Sequence, residues 1–286
     1  MPESSPKLLD LLDLEQIEVN IFRGRSHKTG APQVFGGQVL SQALLGASKT
    51  VEGFSAHSLH AYFLRGGDMN APILYDVERI RDGRSFCTRR VVAIQHGRPI
   101  FNMSASFQVD EEGLSHQVDM PSVPTPDELR DDLSIKTAIF EKEGKTFNPY
   151  TSPDWPLDIR RCERTLPTRN PKVMPATQNT WFRIRETLPN NPILHKVALA
   201  YASDLNLLTT AMLPHGISFL QPDVRLASLD HAMWFHRPVN CNEWLLYATE
   251  SPSSSGGRGY NRGNIFNAEG KLVASSCQEG LIRKLL

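Results

Sequence analysis

No stretch of the 286 residues approaches the ~18 consecutive apolar residues that a membrane-spanning helix requires. The Leu-rich amino terminus, Met1 to Gln16, is interrupted by charges and lacks the basic head and unbroken apolar run of a signal peptide. Cysteine is scarce. The four cysteines (Cys87, Cys162, Cys241, Cys277) form no Cys-x-x-Cys pair and read as reduced thiols in a reducing compartment. There is no excess of charge: 31 basic residues balance 31 acidic ones, which argues against nucleic acid or an anionic membrane as main partner. Gly-x-Ser-x-Gly, Gly-x-Gly-x-x-Gly and the P-loop are all absent, disfavouring a serine-nucleophile hydrolase and a nucleotide fold. His57/His60 and His231/His236 are odd spacings on strand-like segments, so each pair splits between two faces and makes a poor metal site. No cofactor and no metal are expected, and the expected location is the cytoplasm. The tail Arg283-Lys284-Leu285-Leu286 is a poor match to a peroxisomal Ser-Lys-Leu address, which leaves the peroxisome as the alternative.

What the chain does have is a repeat. Residues 65–107 run beside 237–279 at a constant offset of 172, with seven identical pairs: Arg65/Arg237, Asn70/Asn242, Leu74/Leu246, Tyr75/Tyr247, Glu78/Glu250, Arg90/Arg262 and Ser104/Ser276. Apolar positions match between them, as in Phe63/Phe235 and Ile94/Phe266. The chain reads as one structural unit written twice, and 286 residues suffice for two cores. In the first copy a short amphipathic helix (Leu8–Ile17) and a Gly/Pro-marked loop (Gly24–Gln33) precede a helix rich in small residues, Val34–Val51. Strands follow at His57–Leu64 and Ile73–Ile80, then a hairpin at Ser85–Gln95 and Pro99–Val109. The second copy opens on the alternating Thr180–Thr187, has its helix over Leu194–Leu213, and then strands at Ser228–His236, Trp244–Glu250, Gly259–Phe266 and Lys271–Leu281. One helix and about four antiparallel strands per copy suggest a sheet wrapped round a central helix. The proline-rich 114–176, with a weak helix near Ser134–Glu143, connects the copies. The division expected is a first unit over 1–113, a connector over 114–150 and a second unit over 151–286.

The copies differ in chemistry at three places. At offset 172, Asp204 faces Pro32, Ser228 faces Ala56 and Gln278 faces Ser106. A carboxylate, a hydroxyl and an amide thus occupy the second copy at its helix start, first long strand and last strand, places that can converge at the helix amino end. Together they suit hydrolysis: a carboxylate takes a proton from water while a hydroxyl and an amide aim it, and helix-end N–H groups stabilise an oxyanion. Each has a plainer reading as well. Asp204 suits a helix N-cap, Ser228 a structural hydroxyl, and Gln278 a surface amide. Gly36-Gly37 either admits a ligand close to the backbone or packs helix tightly on sheet. The arginines Arg65, Arg81, Arg84, Arg89, Arg90, Arg258 and Arg262 read as solvated strand ends by default.

The segments 33–38 (QVFGGQ), 57–68 (HSLHAYFLRGGD), 201–206 (YASDLN), 229–238 (LDHAMWFHRP) and 274–280 (ASSCQEG) closely resemble the TesB-type acyl-CoA thioesterases, the acyl-CoA thioesterase II family. The resemblance spans nearly the whole chain and is weakest in 114–176. It implies an α+β double hotdog, in which two antiparallel sheets each wrap a central helix. It also implies cofactor-free hydrolysis of acyl-CoA, of medium to long chain, to a free fatty acid and CoA. The family's water-activating Asp, Thr or Ser, and Gln map onto Asp204, Ser228 and Gln278, with Ser228 where Thr is frequent. A homo-oligomer, dimer or tetramer, is expected too. Two other readings remain on such a fold. One is an enoyl-CoA hydratase or dehydratase, which wants an Asp/His pair, although no His lies close to Asp204 in sequence. The other is a non-catalytic acyl-CoA-binding protein.

Overall fold

A computed structural model describes residues 7–26, 33–142, 155–163 and 168–285. One hydrophobic core is organised around two helices, α2 (Gly36–Ser48) and α4 (Pro192–Ser203). Every residue of α2 from Gly37 to Ser48 is buried; most are apolar or small, and the two large polar ones, Gln38 and Gln42, are bonded to Arg25 and to Leu11 and Tyr75. Asn191 starts α4 by accepting the Ile193 N–H with its side chain, and Pro192 occupies the first helical position, where no N–H is needed.

Among the described residues, thirteen strands wrap these helices. In the first half β1 (Glu15–Glu18), β2 (Ile21–Gly24), β3 (Ser55–Phe63), β4 (Ile73–Asp82), β5 (Phe86–Gln95) and β6 (Arg98–Gln108) lie in the order β1-β2-β4-β5-β6-β3. The second half has β7 (Leu157–Arg161), β8 (Thr177–Ile184), β9 (Val224–Ser228), β10 (Asp230–Phe235), β11 (Leu245–Ser255), β12 (Arg258–Asn267) and β13 (Leu272–Lys284). Its order is β10-β13-β12-β11-β8-β7, with β9 also on β13. Alternation sets which face turns inward: Cys87, Arg89, Val91, Ala93 and Gln95 of β5 are buried while their neighbours are not. The two sheets expected from the sequence are continuous. β3 pairs antiparallel with β10 (Leu59 with Met233, Ala61 with His231), so one sheet encloses both helices.

Several local expectations change. The first amphipathic segment is only a one-turn helix, α1 (Leu8–Leu11), because the chain turns into edge strand β1. The second long helix stops at Ser203, and a 3-10 helix covers Leu208–His215. Asn206, in the left-handed region at φ 62°, breaks the continuity between them. α3 (Asp132–Lys142) matches the weak connector helix. The Gly24–Gln33 loop lies mostly outside the described residues. Arg89 is no solvated strand end: it is 2% exposed, and its guanidinium binds Asp82 at 2.5 Å and the Thr50 hydroxyl at 2.9 Å, just past the carboxyl end of α2.

The repeat is real, but its offset is not constant. Glu78 pairs with Arg90 across β4–β5, and Glu250 with Arg262 across β11–β12, at 3.7 and 2.6 Å. The β5–β6 turn is the two-residue His96-Gly97, both at positive φ, as a tight hairpin demands. The corresponding β12–β13 turn is one residue longer, since Val91 opposes Met103 but Gly263 opposes Ser276. The last strands therefore correspond at offset 173, and a one-residue slip exchanges the faces of a strand. Accordingly Ser104 is exposed while Ser276 is 1% exposed. The helices correspond at 155: Ala47-Ser48 ends α2 as Ala202-Ser203 ends α4.

α2 and α4 lie antiparallel, the amino end of each beside the carboxyl end of the other. A Cβ on Gly37 would collide with the Tyr201 carbonyl oxygen, so glycine sets this approach. Gly37→Ala is expected to lower stability by about 1–3 kcal/mol through overpacking, visible as a reduced melting temperature in calorimetry.

Candidate active site

Asp204 follows the last residue of α4 directly. The sequence placed it at a helix start, opposite Pro32. The structure puts it at a helix end, opposite Lys49, which caps the carboxyl end of α2. It nevertheless faces a helix amino end, that of α2, because the helices are antiparallel. A Cβ on Gly36 would lie 2.6 Å from Asp204 Oδ2, and the Gly37 N–H donates to the carboxylate. Glycine at both positions lets the carboxylate sit directly on the first turn of α2. The negative end of its own helix disfavours the Asp204 charge, while the positive end of α2 favours it.

Gln278 projects inward from β13 and is 1% exposed. Its Nε2 donates to Asp204 Oδ1 at 2.7 Å. Its Oε1 is buried and has no partner among the described residues. The sequence set Gln278 against Ser106. The shifted register sets it against Ala105, since Asn261 opposes Gln278 as Arg89 opposes Ala105. The amide thus stands where the first half has a buried methyl group.

Ser228 ends β9 opposite Gly280, two residues beyond Gln278 on β13. It is half-buried and shares the inward face of Gln278. It does not bond directly to Asp204 or Gln278.

Burial raises the Asp204 carboxyl pKa to about 6, against the lowering effects of the Gln278 amide and the Gly37 N–H. It is therefore a carboxylate at neutral pH. Sequence reasoning missed His231, also inward on β10. It is fully buried, its Nε2 lies 2.9 Å from Ser203 Oγ, and burial lowers its pKa to about 4, so the ring is neutral. Its position beside the residue preceding Asp204 arises from strand pairing, which spacing along the chain does not reveal. Among the described residues no group of three or more His, Cys, Asp or Glu side chains is arranged to hold a metal ion.

Two helix-in-sheet units in one chain, with the Asp204–Gln278 pair at one helix junction, define a double hotdog. Its second half matches the family model for acyl-CoA thioesterase over residues 153–281. The first half matches the acyl-CoA thioesterase N-terminal domain over residues 24–108. Acyl-CoA thioesterase 2 of Haemophilus influenzae is 42% identical over 277 residues, covering 96% of each chain. Human acyl-coenzyme A thioesterase 8 is 39% identical, covering 96% of this chain and 88% of the relative. The crystal structure of an acyl-CoA thioesterase II, TesB2, from Mycobacterium marinum superimposes with a TM-score of 0.78 at 45% identity, covering 96% of this chain and 97% of that one. The chain belongs to the acyl-CoA thioesterase II family and is a thioester hydrolase.

The Asp204 carboxyl is expected to titrate near pH 6 by carbon-detected NMR. Because the Gln278 N–H favours the charged form, Gln278→Ala should move that titration to higher pH.

Proposed function

We propose that the protein hydrolyses acyl-CoA thioesters of medium to long chain with a water molecule activated by Asp204 and aimed by Gln278 and Ser228. Asp204 takes a proton from water as its oxygen bonds to the thioester carbonyl carbon. The C–S bond then breaks, and the CoA thiolate receives the proton, leaving a free fatty acid and CoA. The contact between Asp204 and Gln278 carries this reading. With Nε2 committed to the carboxylate, the buried Gln278 Oε1 is an acceptor for one water proton while Asp204 accepts the other. The Gly36 N–H and the positive end of α2 are placed to favour the developing oxyanion. A cleft beside the Asp204 turn, lined by Phe182, Ala202, Leu205 and Tyr247 with Thr180 and Thr249, is the proposed entrance for the acyl tail.

The hydratase reading needs an acid–base histidine. His231 sits beside Ser203, the residue before Asp204, yet it is fully buried and its Nε2 is engaged by the Ser203 hydroxyl. Hydrolysis therefore fits the arrangement better. Homo-oligomerisation and a cytoplasmic location belong to the same proposal. The first is supported by β1 and β7, which end the sheet among the described residues; among those residues no helix is long and apolar enough to cross a membrane.

Release of CoA thiol from a chain-length series of saturated acyl-CoAs, read with a thiol-reactive chromophore, tests the reaction. Asp204→Asn should abolish release while the circular dichroism stays native, and Gln278→Ala should cost roughly 10²–10³ in kcat. Near-normal release by Asp204→Asn would overturn the assignment. In the wild type, kcat/KM should rise with pH through about 6, as the Asp204 carboxyl loses its proton.

A further inference from the structure

Ser203, which precedes Asp204, is completely buried and held through both its hydroxyl and its carbonyl. Its hydroxyl donates to the Ala200 carbonyl at 2.9 Å and lies 2.9 Å from His231 Nε2. Its carbonyl accepts from the Tyr247 hydroxyl at 3.0 Å, and that phenol lies 2.6 Å from Ser276 Oγ. One arrangement of protons satisfies every contact. Tyr247 has a single proton and gives it to the Ser203 carbonyl, so Ser276 donates to Tyr247. Ser203 spends its proton on Ala200, so His231 Nε2–H donates to Ser203. Two branches of this train thus meet at Ser203: one runs from Ser276 through Tyr247 to the Ser203 carbonyl, in the peptide unit that leads into Asp204, and the other from His231 through the Ser203 hydroxyl to the Ala200 carbonyl.

The first half shows what this corner looks like without a carboxylate. Ser48 retains the bond back into its helix, to the Leu44 carbonyl at 2.8 Å. Leu59 stands at the position of His231, Met103 at that of Ser276, and Tyr75 gives its hydroxyl to Gln42 instead. The histidine and serine are thus confined to the half that contains Asp204, although apolar side chains fill the same places in the other half. His231 Nδ1 is buried without a partner among the described residues, and an unbonded buried polar group costs about 1–3 kcal/mol, so stability alone favours the apolar version.

We propose that Ser203, His231, Tyr247 and Ser276 are positioning residues that lock the exit of α4 and thereby fix the Asp204 carboxylate against Gln278 and the α2 amino terminus. The proposal rests on Asp204 as the proton acceptor. Tyr247 and His231 act on opposite sides of Ser203, one on its carbonyl and one on its hydroxyl, and so oppose both rotation and withdrawal of the turn. Reaction geometry is sensitive to displacements of about 1 Å, which cost on the order of 10²-fold in rate.

The test measures kcat, KM and the acid limb of kcat/KM for Tyr247→Phe, Ser276→Ala, His231→Leu and His231→Gln, with Asp204→Asn alongside. Tyr247→Phe and His231→Leu should lower kcat roughly 10- to 100-fold with KM changed less than about threefold, and should move the acid limb away from its wild-type position. His231→Gln, which keeps an N–H donor, should recover part of the loss. Wild-type kcat and acid limb in Tyr247→Phe and His231→Leu, with only a lower melting temperature, would reduce the train to a structural one and overturn the proposal. Should His231→Leu fail to fold, Tyr247→Phe and Ser276→Ala decide by the same criteria. An active Asp204→Asn would instead refute the proton-acceptor reading. An inactive Asp204→Asn beside a fully active Tyr247→Phe would refute the positioning train alone.

Discussion

The antiparallel contact between α2 and α4 is the constraint on which the molecule depends. It is made possible by Gly37, whose missing side chain leaves room for the Tyr201 carbonyl, and by Gly36, which leaves room for the Asp204 carboxylate. The same contact lets a single sheet cover both helices, because strands from the two halves meet edge to edge at β3 and β10. It also produces two helix junctions per chain, each pairing the amino end of one helix with the carboxyl end of the other.

Those junctions have diverged. One carries Asp204, Ser228 and Gln278; its counterpart carries Lys49, Ala56 and Ala105. The counterpart is occupied from the other helix as well. Lys196, on the first turns of α4, extends its Nζ to the Ser55 hydroxyl at 2.7 Å and the Ala56 carbonyl at 2.8 Å. An ammonium ion there has the wrong sign and no lone pair with which to take a proton, so that junction lacks the elements of the proposed water activation. Duplication supplied two scaffolds, and substitution left one with a carboxylate.

Burial decides the electrostatics of the polar junction. Asp204 is held by one amide and one backbone N–H, yet desolvation outweighs both and its carboxyl titrates above the ordinary aspartate range. His231 is displaced the other way by the same cause and stays neutral. The result is a single negative charge at neutral pH, surrounded by neutral donors. In the proposed reaction this leaves proton acceptance to the carboxylate.

Much of this was legible in the amino-acid sequence, because periodicity and internal likeness are local properties. Alternation located β4, β5, β6 and β11 to β13; the small-residue run located α2; and the matched apolar spacing showed the duplication. The motifs around Gly36, Asp204, His231 and Gln278 singled out the family. The correspondence between copies was legible only where no residue is inserted. The longer β12–β13 turn moved Gln278 from Ser106 to Ala105, and the longer exit from α4 moved Asp204 from Pro32 to Lys49. Likewise, no spacing along the chain announces that Asp204 at the end of one helix faces the start of the other, or that His231 reaches Ser203 across 28 residues. The sequence by itself determined which residues are apolar, which repeat and which are chemically unusual. Only the tertiary structure decided which of them meet, because strand register and antiparallel helix packing set those distances.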